Sequence, residues 1–101
     1  MKILEEQFIC INLDEADQLP DVAGVYTIIC TKDNKHYVKD VGMSSNINER
    51  ISDHDRRDCW DKNCSGVLRI CYRDMTGYTD EQIRGFESQI RDKYNPPCGD
   101  K

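Results

Sequence analysis

Four side chains spread along the chain carry groups suited to breaking a phosphodiester bond: Tyr26, Arg50, His54 and Glu87. That reaction needs an oriented or activated water, and positive charge where the phosphate becomes more negative. A guanidinium matches the geometry of phosphate oxygens, and Mg²⁺ is held by a single carboxylate when waters and substrate supply its other ligands. A phenol titrates at about pH 10, so it acts as a base at neutral pH only beside cations or a metal.

A β-hairpin is predicted to carry the phenol. Residues 25–31 are dense in β-branched and aromatic side chains, residues 32–35 supply turn chemistry, and residues 36–42 resume an extended pattern. Tyr26 and Gly42 are therefore expected on neighbouring strands of one sheet.

A first helix is predicted after the hairpin, followed by a loop from residue 58. Ile47 and Ile51 recur at helical spacing, and the pattern extends to about residue 57. Arg50 and His54 are four residues apart, so they would share one face of this helix.

A third strand over residues 66–73 and a second long helix are predicted next. Thr79 is an N-cap residue followed by acidic residues of a first turn. Glu87 lies on the same side as a buried apolar stripe, which consists of Ile83, Phe86, Ile90 and Tyr94. Three strands with helices packed around them make a compact α+β domain.

The ordered set of residues resembles the GIY-YIG nuclease superfamily. A G-x-Y tripeptide ends at Tyr26, a second tripeptide spans residues 40–42, an Arg lies on the first helix and a Glu on the next long one. The resemblance covers roughly residues 20–99 of a single domain, 1–101. It implies a small three-stranded antiparallel sheet flanked by helices.

The resemblance also implies a role for each group. Tyr26 would be the general base or the group that orients the attacking water, and Arg50 would bind phosphate oxygens through two N–H groups. Glu87 would hold one divalent cation, Mg²⁺ or alternatively Mn²⁺, while His54 would assist at the same phosphate or relay a proton. The positions implied to contact the substrate are Gly24, Asp40, Gly42 and Asn95.

One position departs from the pattern of the family. The second tripeptide normally begins with Tyr, and here it begins with Asp40. A carboxylate there either repels the phosphate or recruits a cation and preserves function differently. Asn95-Pro96-Pro97 resembles the C-terminal signature of the family, but the Asn often found just after it is replaced by Gly99.

These observations predict a metal-dependent endonuclease that hydrolyses nucleic-acid phosphodiesters, with DNA favoured over RNA as partner. The alternative is a non-catalytic module that binds nucleic acid or a protein partner in the same groove. A third interpretation is a thiol or zinc protein, for which Cys59 and Cys64 would combine with His54, Cys71 or Cys98.

Composition limits these alternatives. The chain has 101 residues, of which 38 % are hydrophobic and 33 % charged, which is the balance of one globular domain. The net charge is −5, so the whole molecule repels phosphate and any nucleic-acid site must be a local basic patch.

The expected location is the cytoplasm, without a membrane partner. No apolar run approaches the length of a membrane span, and Glu5-Glu6 interrupts any apolar core of a signal peptide. The six cysteines are therefore expected as reduced thiols, with Cys30 and Cys71 as ordinary core residues on strands.

Overall fold

The computed structural model describes residues 1–99, so residues 100 and 101 of the predicted domain 1–101 lie outside the described part. Its strands are β1 (Lys2–Ile3), β2 (Glu6–Gln7), β3 (Ile9–Asn12), β4 (Gly24–Lys32), β5 (Lys35–Ser44) and β6 (Val67–Asp74). Its helices are a 3-10 helix (Leu13–Gln18), α1 (Ile47–Ser52), α2 (Arg57–Lys62) and α3 (Asp80–Tyr94). The fold is α+β, as predicted.

The main sheet has four antiparallel strands in the order β3-β6-β4-β5, and β1 and β2 form a separate hairpin. β4 pairs on both of its edges and is covered on both of its faces, so its first seven residues are buried. The prediction of a three-stranded sheet is wrong by one strand. β3 joins the sheet because pairing with it satisfies the backbone groups along the outer edge of β6.

The predicted hairpin is confirmed as β4 and β5. Its turn residues, Asp33 and Asn34, have positive φ angles of 53° and 63°. Two consecutive left-handed residues are typical of the type I′ turn, which matches the twist of the strands it joins. A bulge at Lys39 then interrupts the pairing of β5 with β4.

The two faces of the main sheet bury two separate cores. One core packs β4, β5 and the β1–β2 hairpin against α3, and its members include Ile3, Phe8, Val25, Ile29, Val41, Ile83 and Ile90. The other packs β4 against the 3-10 helix, α1 and α2, and its members include Leu19, Tyr26, Ile28, Ile47, Ile51 and Trp60. Because β5 is an edge strand, elements from both layers come together around it.

The first predicted helix is divided in two. α1 ends at Ser52, so His54 lies beyond it instead of sharing a helical face with Arg50. α2 forms where a loop was predicted from residue 58 onward. The burial of Trp60, which has no exposed surface, fixes this short helix against the sheet.

The second long helix is confirmed as α3, with the predicted cap. The Thr79 side chain accepts a hydrogen bond from the Gln82 amide at 3.1 Å, and the Gln82 side chain accepts one from the Thr79 amide at 3.0 Å. This capping box satisfies amide groups that the first turn leaves unpaired. Ile83 and Ile90 are buried on either side of Glu87, whereas Phe86 is half-buried and Tyr94 is 37 % exposed, so the predicted stripe is buried only in part.

The prediction of reduced thiols is wrong, because all six cysteines are paired as Cys10–Cys71, Cys30–Cys64 and Cys59–Cys98. The fold brings together partners that lie 34 to 61 residues apart in sequence. Sulfurs in disulfides are not thiolate ligands, so the zinc interpretation loses its ligand set. Among residues 1–99, no three His, Cys, Asp or Glu side chains are grouped so that they could hold a metal ion.

The disulfides lead to a stability prediction. The double variant Cys59→Ser/Cys98→Ser is expected to lower the free energy of unfolding by about 2–4 kcal/mol, because the bond closes a long loop in the unfolded chain. Urea unfolding of protein folded in an oxidising buffer measures the difference. Thiol titration of the same unreduced wild-type protein in denaturant should find no free thiol. Six reactive thiols there would contradict the pairing.

The disulfides also bear on location. Such bonds persist in oxidising compartments and are rare in the cytosol, which argues against the cytoplasmic expectation. None of the helices within residues 1–99 has the length and apolar character that crossing a bilayer requires.

Candidate active site

A groove of about 380 Å³ opens along β5, where residues of α1 and α3 approach each other. We call it the β5 groove. It is lined by Tyr26, Val41, Gly42, Met43, Arg50, Arg56, Glu87 and Arg91. Tyr26, Arg50 and Glu87, which come from three distant parts of the sequence, therefore share one groove.

Tyr26 and Gly42 meet at the floor of the β5 groove. They pair directly across β4 and β5, and Tyr26 is 1 % exposed. A Cβ added to Gly42 would overlap the hydroxyl and ring of Tyr26. Only glycine leaves room for the phenol to lie across β5 at this point, so Gly42 contributes to the groove by lacking a side chain.

His54 lies behind the phenol, and its Nε2 atom is 2.7 Å from the Tyr26 hydroxyl oxygen. Its other nitrogen, Nδ1, accepts a hydrogen bond from the Arg56 backbone amide at 3.1 Å. An amide N–H only donates, so in a neutral ring the proton is on Nε2. His54 then donates to the Tyr26 oxygen, which leaves the phenol proton available to the groove.

The protonation state of Tyr26 follows from its surroundings. Burial raises the pKa of Tyr26 to about 12, against the opposing effect of the Arg50 and Arg56 guanidinium groups. The phenol is therefore neutral at pH 7. In that state it can orient a water or donate to a phosphate oxygen, whereas the role of base requires additional positive charge close to it.

His54 is neutral as well. Burial, together with the positive charges of Arg50 and Arg56, lowers the pKa of His54 to about 4. Its side chain has no exposed surface. His54 therefore contacts the phenol from behind and is not part of the groove lining, so it cannot touch the phosphate directly as the resemblance implied.

A pH prediction follows from His54. Because its pKa is depressed in the folded state, stability from this group is complete above the unfolded pKa of about 6.5 and is lost as the pH falls toward 4. We expect a loss of about 2 kcal/mol between pH 7 and pH 5. His54→Gln, which keeps one donor and one acceptor, should remove this part of the pH dependence in urea unfolding experiments. Parallel pH profiles for the two proteins would contradict the assignment.

Arg50 extends into the groove from α1 with weak restraint. Its Nη2 atom lies 3.4 Å from Asp55 Oδ1, and the two side chains are 33 % and 78 % exposed. The hydrogen bond from Arg50 lowers the pKa of Asp55. Exposed ion pairs of this kind contribute little to stability, so a phosphate can take the place of Asp55 on the guanidinium.

Glu87 reaches the opposite side of the groove from α3. Its Oε1 atom accepts a hydrogen bond from Arg91 Nε at 3.2 Å, one helical turn away, and its side chain is 16 % exposed. Among residues 1–99, its Oε2 atom has no hydrogen-bond donor. Glu87 is therefore held at a fixed position while one carboxylate oxygen stays available.

Asp40 is fully buried beneath the groove and does not line it. Its Oδ2 atom accepts hydrogen bonds from Arg56 Nε and Trp60 Nε1, each at 2.8 Å. Its Oδ1 atom accepts from the Val41 amide at 2.8 Å and faces Arg91 Nη2 at 3.5 Å. Its negative charge is thus directed at two guanidinium groups.

Two other positions implied to contact substrate lie outside the lining of the β5 groove. Gly24 is buried at the start of β4, where an added Cβ would overlap the carbonyl oxygen of Arg73. Asn95 is exposed and ends α3 in a left-handed conformation with φ of 45°. Their positions fit roles in strand packing and helix termination.

Guanidinium groups outnumber carboxylates on the surface of the β5 groove. Among the described lining residues the charged ones are Arg50, Arg56, Arg91 and Glu87. Two acids outside the lining offset part of this excess, since Asp40 pairs with Arg56 and Arg91 from below and Asp55 pairs with Arg50. The groove surface thus presents positive groups on a chain whose net charge is −5, which an anionic polymer needs.

Three residues of this region were not identified as site residues from the sequence: Arg56, Trp60 and Arg91. Arg91 follows Glu87 by four residues on one helix, a spacing from which their ion pair was predictable. Arg56 and Trp60 gave no such signal, because their partner Asp40 lies 16 and 20 residues away in sequence. Trp60 is fully buried, and its indole N–H holds Asp40.

Comparison of the chain with models of known protein families and with curated proteins finds no match in either case.

Proposed function

We propose that this chain is a small GIY-YIG-like endonuclease that uses a divalent cation to hydrolyse phosphodiester bonds of DNA in the β5 groove. One observation carries the proposal. Tyr26, Arg50 and Glu87, which the resemblance assigns to one site, line one groove, and His54 is bonded to the phenol among them. The resemblance concerns about four fifths of the chain, and the strand added by β3 lies on the opposite edge of the sheet from the groove.

The residues present fit a single Mg²⁺ or Mn²⁺ ion. Glu87 offers a carboxylate oxygen that has no donor among residues 1–99, and Mg²⁺ accepts one protein carboxylate together with waters and substrate oxygens. The three guanidinium groups of the lining disfavour an ion that binds without an anionic substrate, because they repel it, so the proposed ion binds together with the phosphate. When bound with the substrate, the ion would stabilise negative charge on the phosphate.

The phenol and the imidazole act together in this proposal. His54 donates to the Tyr26 oxygen, so the Tyr26 proton points toward the groove and the ring cannot rotate away. The neutral phenol holds the attacking water in line with the phosphate. If added positive charge lowered the Tyr26 pKa enough for the phenol to release its proton to solvent, the resulting phenolate oxygen, still bonded to His54, could take a proton from that water.

Arg50 binds the phosphate itself. Its guanidinium is one third exposed and restrained only by Asp55. Two of its N–H groups can meet two phosphate oxygens, and that contact strengthens as charge accumulates in the transition state.

A second function is a non-catalytic module that binds nucleic acid or a protein partner. The observation that favours it is the replacement of the second tyrosine of the family by the buried Asp40. In this alternative the basic groove binds phosphate without cleaving it. In both alternatives the proposed setting is an oxidising one, which the three disulfides support, and no membrane partner is proposed.

A cleavage assay separates the two functions. Purified protein is incubated with single-stranded, duplex and branched DNA and with RNA, in parallel with Mg²⁺, with Mn²⁺ and with EDTA. The endonuclease predicts cleavage of DNA that requires the cation. Binding of DNA without cleavage in either metal would leave the non-catalytic module.

A further inference from the structure

Arg56 is a guanidinium of the β5 groove that is held by a buried partner and still has most of its donors free. Its Nε and Nη2 atoms donate to the two oxygens of Asp40 at 2.8 and 3.4 Å. A guanidinium has five N–H groups, so three remain without an acceptor among residues 1–99. The side chain is 25 % exposed, and that exposed part lines the groove.

Asp40 holds Arg56 from the buried side. The carboxylate has no exposed surface and is fixed by the indole of Trp60 and by the Val41 amide. The bulge at Lys39 frees a carbonyl that accepts the Cys98 amide at 3.0 Å, and Cys98 is linked to Cys59 of α2. Lys39, next to Asp40, is therefore connected through Cys98 to α2, the helix that follows Arg56.

Arg91 differs from Arg56 although both contact Asp40. Its Nε donates to Glu87, its Nη1 donates to the Cys98 carbonyl at 3.3 Å, and its Nη2 donates to the Val41 carbonyl and faces Asp40. Four of its five N–H groups are directed at protein acceptors. Arg91 is thus a crosslink within the fold, whereas Arg56 has most of its donors left for a ligand.

We infer that Arg56 is a second phosphate-binding residue of the β5 groove and that the buried Asp40 is its positioning residue. The inference rests on the proposed function for the identity of the ligand, a nucleic-acid backbone. Arg56 contacts the nucleic-acid backbone alongside Arg50. Asp40, at the position where the family has a tyrosine, contributes by orienting the Arg56 guanidinium. The aspartate therefore strengthens phosphate binding through Arg56, although its own charge is negative.

The test is binding of a fluorescein-labelled DNA duplex in EDTA, measured by anisotropy at several salt concentrations. Arg56→Gln is expected to weaken binding about tenfold or more at low salt and to reduce the salt slope by about one counterion. The matched control is Arg57→Gln, which removes the same charge at the next position. Arg57 lines a separate pocket, and its Nη2 donates to the Ile51 carbonyl at 2.9 Å. Its variant should therefore keep the wild-type slope, provided that its unfolding curve shows the fold intact.

Two further variants separate positioning from simple electrostatics. Asp40→Asn raises the net charge by one, so repulsion alone predicts tighter binding, whereas loss of the Arg56 anchor predicts weaker binding. Arg56→Lys keeps the charge and should recover the salt slope but only part of the affinity, because an ammonium lacks the planar donor pair. If Asp40→Asn does not fold, the comparison of Arg56→Lys with Arg56→Gln still tests whether the planar guanidinium is required.

The outcomes are distinct from those of the cleavage assay. Equal affinities and salt slopes for Arg56→Gln and Arg57→Gln, tighter binding by folded Asp40→Asn, or a wild-type protein that binds no DNA would each overturn the inference. A wild-type protein that binds through Arg56 but does not cleave in Mg²⁺ would support it and refute the endonuclease.

Discussion

Tyr26→Phe is expected to lower the rate of DNA cleavage by roughly 100- to 10,000-fold, the range that a positioned proton donor or acceptor contributes. The substitution removes only the hydroxyl that reaches the groove. The ring keeps its edge-on packing on His54, with centroids 5.7 Å apart. Binding of DNA in EDTA should stay within a few-fold of wild type, since no charge is lost.

The same variant should lose some stability. His54 Nε2–H would have no acceptor after the hydroxyl is removed, and a buried unsatisfied donor costs about 1–3 kcal/mol. Assays are therefore run well below the unfolding midpoint. Tyr72→Phe is the matched control, because Tyr72 pairs with Tyr26 across β4 and β6 but does not line the groove.

The rates of the two variants decide the role of the phenol. If Tyr72→Phe cleaves like wild type and Tyr26→Phe does not, the hydroxyl at the groove floor takes part in the reaction. Full activity of Tyr26→Phe would mean that the phenol is a sheet aromatic without a chemical role.

The elements that the sequence predicted well are those whose signals are local. β4 is rich in β-branched residues. The turn that joins it to β5 contains Asp33 and Asn34, residue types that adopt the left-handed conformation found there. The Thr79 capping box and a regular apolar stripe define α3. Such patterns involve residues close together in sequence, so they can be recognised before the fold is known.

The features that were predicted wrongly are the number of strands in the sheet, the loop in place of α2 and the state of the cysteines, and all three depend on distant partners. β3 is a strand because the edge of β6 is available to it, and α2 exists because Trp60 has a buried site on the sheet. The six cysteines allow fifteen complete pairings, and their spacing favours none. Each of these outcomes is set by tertiary contacts between segments far apart in sequence.

The site was predicted in part for the same reason. The resemblance assigned Tyr26, Arg50 and Glu87 to one site, and they line one groove. The burial of Asp40 was not predictable, because it results from the approach of Arg56, Trp60 and Arg91, which come from other elements. The sequence thus showed that Asp40 departs from the family pattern, but it did not show that this residue would be buried.

Glu87→Gln is the second large effect, and cleavage in Mg²⁺ should fall by at least about 100-fold. Gln keeps the size of the side chain and an oxygen that can accept from Arg91 Nε. It removes the negative charge that attracts the cation. Binding of DNA in EDTA should hold or improve, since one negative charge has left the path of the phosphate.

The matched control for this variant is Glu81→Gln. Glu81 is exposed in the first turn of the same helix and does not line the groove. It loses the same charge, so any general effect of net charge on DNA binding appears in both variants. A change in DNA binding or cleavage that is seen only in Glu87→Gln is therefore due to the position of Glu87 in the groove.

The most direct measurement is the single-turnover rate of cleavage in Mg²⁺ at saturating protein, compared between wild type and Glu87→Gln on the DNA that the wild-type protein cleaves best. Saturation removes differences in binding, so the ratio of rates reports the chemical step. Metal-dependent endonuclease activity in the β5 groove predicts a ratio of at least about 100, with Glu81→Gln equal to wild type. Equal rates for wild type and Glu87→Gln would contradict it.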